Sequence, residues 1–280
     1  WLSEQVGKPV DFQTSQTQWT RRGPRISLTG LHVGEGDGMV RIGRAELLVS
    51  IYSGLLPNHP FTELKIKGLL LRFNQQQDDS WQLYGVPRQA NSKADPLDVL
   101  SGFGELQLEN TVLQVTPKGK AAFRIPRIDM RMRVQGAKLS VGLRAEAKPG
   151  DLPLFLVAKL SREDYSGKIW LGAPKLNLAN WTEIAPSLNL PKLHAQLQAD
   201  VWLDVRARRI MRLHSKLGFK QVSFDKPAEV KIFSFSNTPA LFDTIAFDTY
   251  WQRSRNGWQF TIPEIRFSAR NVKQNITDIR

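Results

Sequence analysis

Four histidines and three carboxylate pairs are the residues of this 280-residue sequence best suited to metal or acid–base chemistry, and their spacing argues against both. His32, His59, His194 and His214 are scattered without ligand-type intervals, so no metal site is expected. Asp78-Asp79, Glu163-Asp164 and the Asp243/Asp248 pair could serve a general acid and base only if a cleft held them together. Hairpin turns and solvated strand edges account for them more simply. There is no glycine-rich phosphate loop and no nucleophile elbow. NWT at 180–182 and NIT at 275–277 fit a glycosylation pattern that short sequences often meet by chance. No catalytic residue and no cofactor are expected.

Charge is the stronger chemical signal. Lys and Arg number 39 against 26 Asp and Glu, a formal charge of +13, which favours anionic partners such as phospholipid headgroups or nucleic acid. Two clusters concentrate it: Arg21-Arg22 with Arg25, and RARRIMRLHSK from Arg206 to Lys216. Alternation in the second puts Arg206, Arg208 and Arg212 opposite Val205, Ala207 and Leu213. That fits a solvated outer face and turn, or a surface drawn to anionic headgroups at up to about 1 kcal/mol per residue. Single-strand binding sheets interleave aromatics with basic residues on one face, whereas the eight tryptophans here are expected mostly at strand ends and turns as packing anchors. Nucleic acid is therefore not an expected partner.

The elements that must carry these residues are strands. Hydrophobic content of 41% is enough for a core, and the absence of cysteine excludes disulfides and thiolate metal sites. No window reaches the roughly 20 apolar residues of a membrane-spanning helix. The chain begins at Trp1 without an initiator Met, so it reads as a piece of a longer protein whose anchor lies elsewhere. Period-two alternation runs through RISLTGLHV (25–33), RAELLVSI (44–51), ELQLENTVLQV (105–115), MRMRVQGAKLSVGLRAEA (130–147) and QLQADVWLDVRA (196–207). Short helices are expected at WLSEQV, DPLDVLSGF (95–103) and NTPALFDTI (237–245).

The alternation breaks phase at regular landmarks. Ile26 and Leu28 precede Gly30, with Leu31 and Val33 after it; Leu64 and Ile66 precede Gly68, with Leu69, Leu71 and Phe73 after it. Leu106 and Leu108 precede Asn110, and Met132 and Val134 precede Gly136, with apolar residues again shifted by one beyond each. Gly and Asn tolerate positive φ, so each break can bend or reverse a strand while keeping one sheet face apolar. Such a face either meets a second sheet in a sandwich or lines an open, curved sheet. The polar stretch from Gly85 to Pro96 has linker composition. It separates an N-terminal β segment, 1–86, from its continuation, 97–280. The closing EIRFSARNVKQNITDIR reads as a further strand approach.

These residues resemble a known family. LSEQVGKPVDFQTSQTQW followed by GPRISLTGLHVG looks like the start of the periplasmic part of the YhdP and AsmA-like proteins. AELLVSIYSGLL, FTELKIKGLLLRF and DDSWQLYGV follow in that family's order, as do PLDVLSGFGELQLENTVLQV, SGKIWLGAPKLNLANWTEI, ADVWLDVRARRI and YWQRSRNGWQFTI. Ser80 stands where a turn Gly is usual, and Asp98-Val99 where a Trp is usual. The specific part of the likeness is the order of the landmarks over most of the chain. It also excludes an outer-membrane barrel, which the tryptophans alone would permit.

The resemblance implies an all-β, mainly antiparallel fold: an elongated curved groove of repeated strands and hairpins with a few short helices. It implies a periplasmic location in a Gram-negative bacterium, anchored to the inner membrane through an N-terminal helix absent from this chain. Its implied role is non-enzymatic movement of glycerophospholipids towards the outer membrane, with outer-membrane or periplasmic proteins as further partners. The implied lining is Ile26, Leu28, Ile42, Leu47, Val49, Leu64, Ile66, Leu69, Leu71 and Phe73, then Leu106, Leu108, Leu113, Val115, Met130, Met132 and Val134. Leu139, Val141, Leu143, Leu197, Val201 and Leu203 complete it. A different expectation from the same alternation is an envelope scaffold whose apolar face packs on itself and whose sheet edge binds a partner.

Overall fold

The period-two runs fold as strands. The computed structural model describes residues 9–34, 39–51, 62–78, 81–83, 104–184, 193–224, 242–254, 256–269 and 272–279. Among them are sixteen strands and one helix, so the chain is all-β and almost entirely antiparallel. It divides into two units, Trp1–Leu143 and Arg144–Arg280.

The first unit contains β1 (Val10–Asp11), β2 (Thr14–Thr20), β3 (Gly23–Val33), β4 (Val40–Val49), β5 (Thr62–Gln75), β6 (Trp81–Leu83), β7 (Glu105–Thr116) and β8 (Phe123–Gln135). Strand β9 (Lys138–Glu146) carries the chain into the second. The hydrogen-bonded order is β1-β3-β4-β5-β7-β8-β9, with β2 also on β3 and β6 also on β5. All the registered pairs of this unit are antiparallel except β5 with β7, where Glu63 to Asn74 run alongside Glu105 to Thr116. The linker stretch 85–96, between these two strands in sequence, lies outside the described residues, as do the helices expected at WLSEQV and DPLDVLSGF.

All four phase-break residues adopt positive φ: Gly30 (60°), Gly68 (69°), Asn110 (50°) and Gly136 (55°). Three of them bend a continuous strand, and Gly136 reverses the chain between β8 and β9. The three bends coincide across the sheet. Registers of β3 with β4, β4 with β5 and β5 with β7 set Gly30 beside Gly43, Gly43 beside Gly68 and Gly68 beside Asn110. The result is one transverse crease, continued by Asn110 donating its backbone N–H to Asp129 Oδ1 at 2.8 Å.

The second unit is an antiparallel meander in sequence order: β10 (Leu154–Ser161), β11 (Gly167–Asn177), β12 (Leu193–Arg206), β13 (Arg209–Phe224), β14 (Phe242–Ser254), β15 (Gly257–Ala269) and β16 (Val272–Ile279). Helix α1 (Leu178–Ile184) joins β11 to β12. The sequence reading did not anticipate it, although its cap is legible: Asn177 Oδ1 accepts the Ala179 N–H at 3.1 Å. The helix expected over 237–245 is not formed where it is described, because Phe242–Ile245 open β14. Their side chains pair with β13 and β15, and that tertiary pairing overrides the weak helical pattern.

Candidate functional site

Strand registers turn the alternation into transverse rungs. In the first unit Ile26 faces Leu47, Leu47 faces Leu64, Leu64 lies beside Leu106 and Leu106 faces Met132. The next rung is Leu28, Ala45, Ile66, Leu108 and Met130. Beyond the crease come Leu31, Ile42 and Leu69, then Leu71 with Leu113 and Ile125, then Phe73 with Val115 and Phe123. Val49 faces Thr62 at the end of β4. Val134 continues the parity of Met130 and Met132 on β8, while Leu139, Val141 and Leu143 share one parity of β9, Leu139 being buried. Leu106 and Met132 are each 6% exposed, whereas Ile26 at the rung's outer end is 38% exposed.

The opposite parity is a lattice of charge. Ser27, Glu46, Lys65, Gln107 and Arg131 form one polar rung, and Glu63, Glu105 and Arg133 belong to the next. Glu105 is only 1% exposed. Its Oε1 accepts from Arg131 Nε at 2.6 Å and Gln107 Nε2 at 2.5 Å, and its Oε2 accepts from Arg133 Nε at 2.9 Å and Nη2 at 2.5 Å. Burial alone would raise its pKa, but the bonds from Arg131, Arg133 and Gln107 outweigh that and lower it from 4.5 to about 2. Ion pairs of Arg22 with Glu63, Arg44 with Glu46 and Lys65 with Glu109 extend the lattice.

The second unit repeats the two-faced plan. Leu176, Leu197, Phe219, Ile245 and Phe267 form one aliphatic and aromatic rung, and Ala173, Ala199, Leu217, Phe247 and Ile265 the next. Leu156, Leu171 and Val201 lead a third, and Ala158, Ile169, Leu203, Leu213, Trp251 and Phe260 make a fourth. Of these, sequence reasoning named only Leu197, Val201 and Leu203. The rest lie in LFLVAKL, KIWLGAPKL, MRLHSKLGF, FDTIAFDTYW and WQFTIPEIRF, whose apolar residues alternate in the same way. At one end of this face Leu178 and Trp181 of α1 pack against the buried cluster Ala173, Leu176 and Ala199.

The polar face of this unit holds an aromatic rung. Trp170 pairs with Val157 and Trp202, Trp202 with His214, His214 with Tyr250, and Tyr250 with Thr261. This corrects the placement of tryptophans at strand ends: Trp170 and Trp202 are mid-strand. Trp170 lies over Gly172 and donates from Nε1 to Asp200 Oδ1 at 3.0 Å. His214 is stacked on both sides, 5.0 Å from Trp202 and 4.4 Å from Tyr250. With Lys159, Lys168, Asp204, Arg212, Gln252 and Gln259 the rung borders a concavity of about 730 Å³.

The remaining candidate residues are dispersed. Glu163 and Asp164 lie in the turn between β10 and β11, where the Ser166 hydroxyl and backbone N–H hold the Asp164 carboxyl below its ordinary pKa. Asp243 and Asp248 have opposite parities on β14, and Asp248 pairs with Lys216. His32 sits on β3 and His194 on β12, and His59 and Asp79 lie outside the described residues. No group of three or more His, Asp or Glu arranged to hold a metal occurs among the described residues. Asn180 of NWT lies in α1 with its amide on Asp151 at 2.8 Å, and NIT lies in β16. In the basic cluster Ala207 and Arg208 are turn residues at φ 46° and 62°, so the alternation stops at Arg206 rather than continuing through them.

A nearly helix-free, mainly antiparallel sheet with one apolar and one charged face defines a class: all-β proteins built on two-faced sheets. The chain belongs to the YhdP family, whose model, described as YhdP protein, matches residues 1–279. No curated protein and no solved structure matches it. No helix among the described residues is long and apolar enough to cross a membrane.

Proposed function

We propose that this chain is a segment of a non-enzymatic phospholipid conduit between the inner and outer membranes, the periplasmic part of an inner-membrane-anchored protein that maintains outer-membrane lipid. The observation that carries this reading is the continuity of the aliphatic rungs from strand to strand, opposite a face of charge, with α1 the only helix among the described residues. Exposing acyl chains to water costs about 0.8 kcal/mol per CH₂, on the order of 20 kcal/mol for two tails. A continuous apolar trough removes most of that cost, and movement along it breaks no bond. Family membership supports the same role.

The test is photocrosslinking in cells from Ile66, Leu71, Leu108, Val115, Met132 and Val141, following radiolabelled phospholipid on the adduct. Label at these positions and not at Lys65, Gln107 or Arg133 is the expected result. Uniform absence of label with normal folding would sink the conduit.

A scaffold is the second reading, favoured by β2, which among the described residues pairs with β3 alone. A partner strand could add to its outer side. Crosslinks from β2 to a protein, with none to lipid from the rungs, would select that reading.

A further inference from the structure

At the strand ends of the second unit that lie away from α1, the apolar face does not stop before the turns. Val205 continues the parity of Val201 and Leu203 and faces Ile210, and Trp258, opposite Arg253, continues that of Phe260. These outermost residues are open to solvent: Ile210 is 43%, Phe260 38% and Trp258 70% exposed. Next to them along the chain are exposed arginines: Arg206 and Arg209, which flank the β12–β13 turn on the parity of Trp202 and Asp204, Arg208 in the turn, and Arg253 of β14, which faces Trp258. Arg206, Arg209 and Arg253 have no ion-pair partner among the described residues, and Arg208 lies over the Tyr165 ring at 4.8 Å. The acids nearest in sequence are otherwise engaged or outnumbered: Asp164 accepts from Ser166, Asp204 lies 4.0 Å from Lys168, and Glu163 is solvated.

The turn itself is built at a cost. Arg206 faces Arg209 across two residues that both hold positive φ, as a type I′ turn requires. Asn-Gly would adopt that shape cheaply, whereas Ala207 and Arg208 are strained there. A neighbouring turn holds it in place, with the Ala207 N–H donating to Ser166 Oγ at 3.0 Å. The strained position therefore displays a guanidinium, whose planar fork matches phosphate oxygens.

We propose that this rim recognises the phosphate of a phospholipid whose acyl chains lie on the adjoining aliphatic face. The apolar floor and the unpaired arginines together select an amphiphile with an anionic head. The inference rests on the conduit reading and adds to it a headgroup site on one rim of the second unit.

The experiment compares binding of phosphatidylglycerol and diacylglycerol carrying the same fluorescent acyl chain to three forms of the 280-residue chain. The first is the unaltered sequence, the second Arg206→Gln/Arg208→Gln/Arg209→Gln/Arg253→Gln, and the third Ala207→Asn/Arg208→Gly. The unaltered chain should hold phosphatidylglycerol about tenfold more tightly than diacylglycerol, a preference that falls as salt is added. The fourfold variant should bind diacylglycerol unchanged and keep less than about twofold preference. The turn variant should lose part of the preference while melting no lower, which separates anion recognition from a structural role. A preference that survives the fourfold substitution overturns the headgroup site and leaves the conduit standing. Failure of the unaltered chain to bind either lipid overturns both. Displacement of phosphatidylglycerol by equal concentrations of glycerol phosphate would mean a site for free phosphate, which also overturns the proposal.

Discussion

Two groups of arginines in this chain have opposite fates. Arg131 and Arg133 lie on the polar face of β8 and close on the buried Glu105 of the neighbouring β7. Arg206 and Arg209 flank a turn, have no carboxylate within ion-pair distance among the described residues, and stay in solvent. Both groups read alike in sequence, as Arg spaced by two or three residues in a strand-like context. The difference is the cross-strand neighbour: the strand interior sets Arg133 opposite Glu105, whereas beside the turn Arg206 faces only Arg209. Paired arginines hold the sheet together; unpaired ones keep their charge available to an anion.

The largest expected effect sharpens this contrast at its buried end. Glu105→Gln removes a carboxylate that two guanidiniums and an amide engage, and should lower stability by about 2–3 kcal/mol in urea unfolding. Arg206→Gln or Arg209→Gln should change it by less than about 0.5 kcal/mol. Equal losses at both places would break the comparison. The pH profile gives an independent reading. Because the Glu105 pKa is lowered on folding, its stabilisation is complete above pH 4.5, the unfolded value, and is lost as pH falls to about 2. The Gln variant should lose that part of the acid dependence.

Next in size is the crease. Gly68→Ala places a side chain at φ 69° and should cost about 1–2 kcal/mol by the same measurement, although nothing crowds the new Cβ. Asn110→Ala should cost about as much, since Asn accepts the left-handed conformation better than Ala. Smaller again is Asn177→Ala, which removes the α1 cap at about 1 kcal/mol and should free Trp181, read as a shift in its fluorescence. The smallest effect has the opposite sign. Ala207→Asn/Arg208→Gly should raise stability by up to about 1 kcal/mol, because it relieves the two strained positions of the turn.

Much of the fold was legible because its signals are local. Leu64 and Ile66 on one parity and Leu69, Leu71 and Phe73 on the other required a residue able to take positive φ between them, and Gly68 takes it. The same inference held at Gly30, Asn110 and Gly136. Phe242–Ile245 were misread as helix because NTPALFDTI carries a Pro-led helical start, while the partners that make it a strand, Lys220 with Thr244 and Phe219 with Ile245, lie in β13. Helix α1 was missed because seven residues show almost no periodicity, and only Asn177 announces it. Trp170 and Trp202 looked like end anchors until their register set them opposite each other in mid-strand.

By itself the sequence determined which side chains share a parity, where that parity must shift, and the excess of positive charge, since these depend only on neighbours along the chain. Tertiary structure decided that β5 lies beside β7 in parallel, which brings Gly68 next to Asn110 and converts separate bends into one crease. It decided also that Glu105 meets Arg131 and Arg133 while Arg206, Arg208 and Arg209 meet no carboxylate among the described residues. The physical reason is that a strand's alternation is written in its own residues, but its neighbour and register are fixed by the sum of contacts with segments far away in the chain.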